Sequence, residues 1–357
     1  MAPDNSPHAP IQVLVVDDSA VVRQVMSAVL SQEEDMVVTV AADPLIAMPK
    51  MKQTRPHVIL LDLEMPRMDG LTFLRKIMAE DPIPTLVCSS VAGQGTSAAL
   101  RALDEGALGI VTKPKLGVRD FLHESALVLI DMVRSAAQAR VRPRTPFVQP
   151  ARRKLGDNRA ASPRLSAFSE RIVAIGASTG GTEALTEILT VLPAEVPGIV
   201  IVQHMPELFT AAFANRLNSL CEIQVKEAAD GDPVIPGHAY IAPGNRHASV
   251  DRRGNQFMVR VSDGPLVSRH RPSVDVLFQS VAQSVGRNAL GVILTGMGND
   301  GMIGLLAMKR SGARTIAQDE NSCVVFGMPR EAIRAGAADL VAPLAQIADL
   351  ILSHGRS

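Results

Sequence analysis

The sequence predicts an α/β protein made of two parallel-sheet domains joined by a linker. Three observations predict it. From Ile11 to Val133, short buried-looking runs alternate with helical apolar patterns. From Arg171 the same alternation resumes with longer elements. Between them, residues 134–169 are rich in Pro, Arg, Ala, Ser and Gln and lose all apolar periodicity. The expected domains are therefore 1–133, a flexible basic linker 134–169, and 170–357.

In the first domain the expected strands are Ile11–Val16, Val37–Ala41, Val58–Leu61, Thr85–Cys88 and Gly109–Val111. The expected helices are Ser19–Leu30, Asp43–Lys52, Leu71–Ala79, Thr96–Leu103 and Arg119–Val133. Five β/α units imply a parallel sheet with helices on both faces and a functional crevice at the C-terminal strand ends. The charged residues fall at those ends. Asp17 and Asp18 follow strand one, Asp62 strand three, Ser89 and Ser90 strand four, and Lys113 strand five. Clustered carboxylates repel unless a cation joins them, and Mg²⁺ favours such oxygen ligands. A lysine and a hydroxyl beside them suit phosphoryl oxygens. Taken singly, Asp17-Asp18 also reads as a solvated turn or helix cap, and Lys113 as a surface charge.

In the second domain Ile172–Ile175 stops at Gly176-Ala-Ser-Thr-Gly-Gly181, and a helix carrying Ala184, Leu185, Ile188, Leu189 and Leu192 follows. A glycine-rich strand-to-helix turn can hold phosphate, present Ser178 as a nucleophile, or simply turn tightly. Strand Gly198–Gln203 ends in His204, a general base or a core histidine, before a helix through Ala211, Leu217 and Leu220. Strands Glu222–Glu227 and Ala239–Ala242 come next. A hairpin His247–Asp251/Gln256–Val261, turning at Arg252–Asn255, and helix Ser273–Val285 follow. Strand Gly291–Leu294 runs into Thr295-Gly-Met-Gly-Asn-Asp-Gly301, then a helix from Met302. Asp300 there reads as a helix cap or as an orienting carboxylate.

Three strand ends thus carry Ser178, His204 and Asp300: a nucleophile, a base and a carboxylate. Their order, Ser…His…Asp, differs from the Ser…Asp…His of ordinary α/β-hydrolases. His238, His247, His270 and His354 follow no core strand and are discounted as bases.

Composition narrows the classes. Zero formal net charge, no Trp and one Tyr give no general case for nucleic-acid binding. The basic clusters Arg140–Arg144 and Arg152–Lys154 leave a nucleic-acid arm as an alternative for the linker. Met1–Pro10 has no signal-peptide core, and there is no apolar run of about 18 residues. Cys88, Cys221 and Cys323 lack metal or C-x-x-C spacing. They read as buried small apolar residues, and a cytoplasmic monomer is expected.

Two sets of motifs carry a resemblance. Val15-Val-Asp-Asp-Ser19, Leu61-Asp-Leu-Glu-Met-Pro-Arg-Met-Asp-Gly70, Ser89-Ser90 and Thr112-Lys-Pro114 resemble the response-regulator receiver family, across the whole first domain. That resemblance implies a flavodoxin-like (βα)5 fold, with Asp62 as phospho-acceptor and Asp17, Asp18 and Asp62 as Mg²⁺ ligands. It also implies Ser89 as switch hydroxyl and Lys113 as phosphate contact. Ile110 stands where receivers usually carry an aromatic.

Gly176–Gly181, Gln203–Pro206, Ala242–Gly244, His270–Phe278 and Leu294–Gly301 resemble the CheB-type protein-glutamate methylesterases, over about Arg171–Ile351. This implies a doubly wound, mostly parallel α/β domain. It would hydrolyse glutamyl methyl esters on chemoreceptors, and in many members deamidate receptor glutamines, without a metal. The backbone N–H of Met297, with Thr179 second, would be the oxyanion donor. Arg271–Asp275 would lie near the cleft or simply start a helix. The domain order implies a receiver that covers the Ser178 cleft until a CheA-type histidine kinase phosphorylates Asp62. A binding protein without turnover, or a DNA-binding regulator with a helix-turn-helix, would be the other classes.

Overall fold

In the computed structural model, residues 9–89, 94–113, 124–141 and 170–356 are described. Ser90, Pro114, residues 119–123 of the expected fifth helix and residues 142–169 of the linker, including Arg152–Lys154, lie outside them. The chain divides into two compact units, residues 1–148 and 149–357.

The first unit alternates strand and helix. Its elements are β1 Ile11–Val16, α1 Ala20–Leu30, β2 Met36–Ala41, α2 Pro44–Gln53, β3 Val58–Asp62, α3 Gly70–Glu80, β4 Thr85–Ser89, α4 Gln94–Asp104, β5 Gly109–Thr112 and α5 Glu124–Ala137. All pairings are parallel, in the order β2-β1-β3-β4-β5. Val58 to Leu61 are fully buried, as a strand covered on both faces requires. Three helices begin at a side-chain cap: Ser19 Oγ accepts from Val22 N, Asp43 Oδ1 from Ile46 N, and Asp69 Oδ1 from Thr72 N.

One boundary is corrected. Residues 134–137, expected in the linker, are the end of α5. Val133 and Ala136 are buried, and the Arg134 guanidinium binds Glu33 at 2.6 Å and Asp35 at 2.8 Å. An arginine read as linker charge is in fact a clamp on the α1–β2 loop.

The second unit contains β6 Ile172–Ala177, α6 Gly181–Thr190, β7 Gly198–Gln203, α7 Glu207–Leu220, β8 Gln224–Glu227, β9 His238–Ile241, β10 His247–Arg253, β11 Gln256–Ser262, α8 Val274–Ser284, β12 Ala289–Ile293, α9 Met302–Arg310, β13 Arg314–Gln318, α10 Met328–Arg334, β14 Leu340–Ala342 and α11 Leu344–Arg356. Seven strands form one sheet, β14-β13-β12-β6-β7-β9-β8, and every pairing in it is parallel. The expected hairpin, β10–β11, is a separate antiparallel pair whose ladder runs on to Arg253 opposite Gln256. Its turn is therefore shorter than Arg252–Asn255. The sequence reading names no element after the helix from Met302. It missed β13, β14, α10 and α11, which extend the sheet beyond β12.

The chain leaves β6 toward β7 on one side and later returns through β12 on the other. Strand order reverses at β6, so the crevice of the doubly wound sheet opens at the C-terminal ends of β12, β6 and β7.

Candidate active site

Register brings the second-unit candidates together. Ala177 pairs with Gln203, and Gly176 with Ile293. Ser178 and His204 therefore leave adjacent strands at the same level, and the 295–301 loop starts beside them. Ser178 N donates to Thr295 O at 3.0 Å, and His204 N to Ala177 O at 3.1 Å. Gly180 caps α6 at φ +77°, a region that suits glycine, with Val324 against it. Gly296 permits a close approach to Ser178: a Cβ there would lie 2.6 Å from Ser178 Cβ and 2.4 Å from Met328 Sδ.

His204 Nε2 lies 2.9 Å from Asp300 Oδ2. A carboxylate only accepts, so this bond places the imidazole proton on Nε2 and the lone pair on Nδ1. Nδ1 is buried and without a partner. The Ser178 hydroxyl therefore does not bond His204 in this structure. Asp300 is 1% exposed and accepts three further bonds, from Ser273 Oγ at 2.7 Å, Val274 N at 2.8 Å and Asp275 N at 3.0 Å. Burial opposes its charge. The His204 contact and the Asp275 and Ser273 donors outweigh that and hold the Asp300 carboxyl below the usual range.

The Asp300 geometry corrects an expectation. Its own helix α9 is capped by Gly301 without a side-chain bond, and Asp300 instead sits at the N-terminus of α8. Arg271–Asp275 is thus both a helix start and the grip on the carboxylate. Sequence reasoning missed Ser273 as a ligand of Asp300, because the pairing joins residues 27 apart. It also missed Gln203, whose Nε2 donates to Ser178 O at 2.9 Å and His204 O at 3.1 Å. The Met297 N–H makes no hydrogen bond among the described residues, whereas Thr179 is engaged.

His270 is the third omission. Discounted as a base, it stacks on His204 with ring centroids 3.8 Å apart and planes 7° apart. Its Nδ1 lies 2.7 Å from Ser268 O. Burial first, then the neighbouring His204, pushes its pKa down to about 3. His204, His270 and Asp300 lie close enough together to suggest a metal. The stack argues against that use: imidazole lone pairs lie in the ring plane, and parallel planes this far apart cannot both point at one ion. The other discounted histidines are structural. His247 Nδ1 accepts from Ser273 N, and the His238 and His354 rings bond backbone carbonyls.

In the first unit the candidates also converge. Lys113 Nζ lies 2.6 Å from Asp62 Oδ2 and 3.1 Å from Asp17 Oδ2. Asp17, Asp18 and Asp62 could share one ion, Asp18 being the exposed member. The Oδ2 atoms of Asp17 and Asp62 are buried and make no hydrogen bond, so Lys113 meets them as a charge off hydrogen-bond geometry. Three carboxylates sharing a single lysine charge fit a hard divalent cation. Burial, then the Asp17 charge, pushes the Asp62 pKa up against the pull of Lys113. Ser89 is buried at the end of the adjacent strand, its carbonyl accepting from Lys113 N. Ile110 is 2% exposed within β5.

The second unit is thus a parallel α/β domain with Ser178, His204 and Asp300 gathered at its switch point, and the first a β/α domain with three acids and a lysine gathered at its strand ends. Comparison with known proteins is specific. The family model for the CheB methylesterase matches residues 173–351, and that for the response regulator receiver domain matches 13–122. A protein-glutamate methylesterase/protein-glutamine glutaminase of Anaeromyxobacter dehalogenans is 59% identical over 95% of both chains. One from Leptospira interrogans is 54% identical over 94% of this chain and 98% of its own. The crystal structure of the Thermotoga maritima CheB methylesterase catalytic domain matches with TM-score 0.50 and 41% identity, covering 51% of this chain and 97% of that one. The chain belongs to the CheB methylesterase family, with a receiver domain in front.

Proposed function

We propose that the protein hydrolyses glutamyl methyl esters on chemotaxis receptors and deamidates receptor glutamines, with Ser178, His204 and Asp300 as its catalytic set. The observation that carries the assignment is the Asp300–His204 bond, which leaves Nδ1 as the free nitrogen of a histidine whose strand end adjoins that of Ser178. Ser178 Oγ attacks the ester carbonyl carbon while Nδ1 takes its proton. The tetrahedral adduct collapses, the C–O bond to the methoxy group breaks, and methanol leaves with that proton. Water then attacks the acyl-enzyme by the same route and restores Ser178. With glutamine the leaving group is ammonia. The unpaired Met297 N–H supports its role as oxyanion donor, with Thr179 a weaker second.

Asp62 is the phospho-acceptor of the receiver, phosphorylated by a histidine kinase. Asp17, Asp18 and Asp62 would hold Mg²⁺, which when bound supplies positive charge against the phosphoryl oxygens. Lys113 contacts the phosphoryl group and Ser89 reads it. Phosphorylation adds roughly −1.5 to −2 charges and raises activity at the Ser178 site. No helix among the described residues is long and apolar enough to cross a membrane, which suits an enzyme acting on receptor segments from the cytoplasm.

The test is methanol release from methyl-labelled receptor membranes, with and without acetyl phosphate and Mg²⁺. Release that requires Ser178, and that acetyl phosphate stimulates only when Asp62 is present, is the expected result. Release indifferent to Ser178→Ala sinks the site; release indifferent to Asp62→Ala sinks the regulation alone.

A further inference from the structure

A second histidine lies flat on the base, and the chain takes trouble to place it there. His270 closes a two-residue turn: Val267 N donates to His270 O at 3.1 Å and His270 N to Val267 O at 2.9 Å. The two residues inside, Ser268 at φ +50° and Arg269 at φ +66°, occupy a backbone region that non-glycine residues rarely adopt. Such conformations persist only where surrounding contacts impose them, and they cluster at functional sites. Here the contacts are visible. Ser268 Oγ is 3.1 Å from Asp275 Oδ2, and Asp275 Oδ1 accepts from Gly304 N at 2.7 Å. Ser268 O in turn receives the proton of His270 Nδ1 at 2.7 Å. Asp275 also donates its own backbone N–H to Asp300. One acidic residue at the start of α8 therefore anchors both the carboxylate that orients His204 and the turn that stacks on it.

We propose that His270 is a positioning residue for the catalytic imidazole: its ring, parallel to His204 at 3.8 Å, fixes the plane in which Nε2 meets Asp300 and Nδ1 is left free. The inference rests on the catalytic role given above to His204. An in-plane ring has one rotation left, about its Cβ–Cγ bond. The Asp300 bond restrains it at one edge only, and Nδ1 has no partner to restrain the other. The stack supplies the missing restraint. It must do so without bringing a cation to the face of a ring that becomes positive during the reaction. The groups facing His270 are His204, Asp300, Arg269 of its own turn and Ser268. Within that enclosure His270 stays neutral across the working pH range.

The experiment uses the full-length protein, activated with acetyl phosphate and Mg²⁺, and measures kcat and KM for methanol release. His270→Ala, His270→Phe, Ser178→Ala and His204→Ala are compared. His270→Ala is expected to lower kcat about 10²-fold, the cost of a misplaced catalytic group, with KM within twofold. His270→Phe, flat and unable to titrate, is expected to recover to within about fivefold of wild type with the same acid limb in its pH profile. A merely structural residue would not give that split or that rescue. Should His270→Ala fail to fold, His270→Leu replaces it: similar bulk without a flat face, and the same loss is expected. Activity of the Ala or Leu variant within threefold of wild type, or a folded Phe variant as poor as it, overturns the inference. If Ser178→Ala or His204→Ala retains activity, the catalytic assignment itself has failed, which is a distinguishable result.

Discussion

Replacing Asp300 with Asn separates the two roles that the structure gives this residue. Four donors converge on the carboxylate: His204 Nε2 at 2.9 Å, Ser273 Oγ at 2.7 Å, Val274 N at 2.8 Å and Asp275 N at 3.0 Å. An amide offers one accepting oxygen and one donating NH₂. If the oxygen keeps the α8 N-terminus, the NH₂ faces His204 Nε2 and requires a lone pair there. The proton then moves to Nδ1, and the imidazole can no longer accept from Ser178. In another Ser–His–Asp enzyme this tautomer error costs about 10⁴ in kcat, or roughly 5.5 kcal/mol of transition-state stabilisation. The stability cost is separate. Charge-assisted bonds to a helix N-terminus become neutral ones and one donor is orphaned, about 3 kcal/mol in all. For a unit of this size that lowers Tm by roughly 6–12 °C.

Methanol release and thermal unfolding of Asp300→Asn read the two effects independently. The sign of the pH dependence adds a check. Asp300 has a depressed pKa, so its stabilising contribution is present above the unfolded carboxylate pKa and lost as pH falls through the folded one. The Tm gap between wild type and Asp300→Asn should therefore narrow below about pH 4. A folded Asp300→Asn protein that keeps more than a tenth of wild-type kcat/KM refutes the tautomer argument and leaves Asp300 as a helix cap.

Three further outcomes follow from the same geometry. Gly296→Ala should cost about 10² in kcat, because its Cβ would collide with Ser178 Cβ and Met328 Sδ; wild-type turnover would show that the loop moves freely there. Asp62→Asn, measured without Mg²⁺, should raise the Tm of the receiver unit at neutral pH. A carboxyl with a raised pKa loses stability as pH rises from its unfolded value through its folded one, and the amide removes that cost. An unchanged or lower Tm contradicts it. Mg²⁺ at about 100 times its Kd should add about 2.7 kcal/mol to wild type and much less to Asp17→Asn; equal gains would place the ion elsewhere.

The fold class was legible because buried parallel strands write themselves as uninterrupted β-branched runs, as in Val58–Leu61 and Ile172–Ile175. The C-terminal strand ends were legible for the same reason, and Asp17, Asp62, Lys113, Ser178 and His204 could be placed there by counting from the runs. What escaped detection lies off those ends. Ser273, Gln203 and His270 act through bonds and stacking that depend on how α8 and the 267–270 turn fold back over the sheet. No local spacing reports that. His270 was set aside because it follows no core strand, a sound filter for a base and a wrong one for a ring that supports the base. β13 and β14 escaped detection because their runs are short, five and three residues.

The two sites are built on the same plan and tuned in opposite directions. Both sit at the C-terminal edge of a parallel sheet beside its switch point, and both hold a carboxylate that is almost wholly buried. At Asp300 the surroundings are donors: two backbone N–H groups, a hydroxyl and an imidazole. They keep the group ionised, so in the proposed mechanism charge is in place when His204 takes a proton and no reorganisation is needed at that moment. At Asp62 the surroundings include a second buried acid, Asp17, and a single lysine whose one charge both acids share. Burial and like charge leave Asp62 short of compensation, a condition that an added cation relieves. A carboxylate that must stay charged is surrounded by fixed dipoles. One that must accept a phosphoryl group with a cation at hand is left electrostatically unsatisfied. The donor count around each acid thus fits the different roles proposed for Asp300 and Asp62, although both are an Asp at a strand end in the sequence.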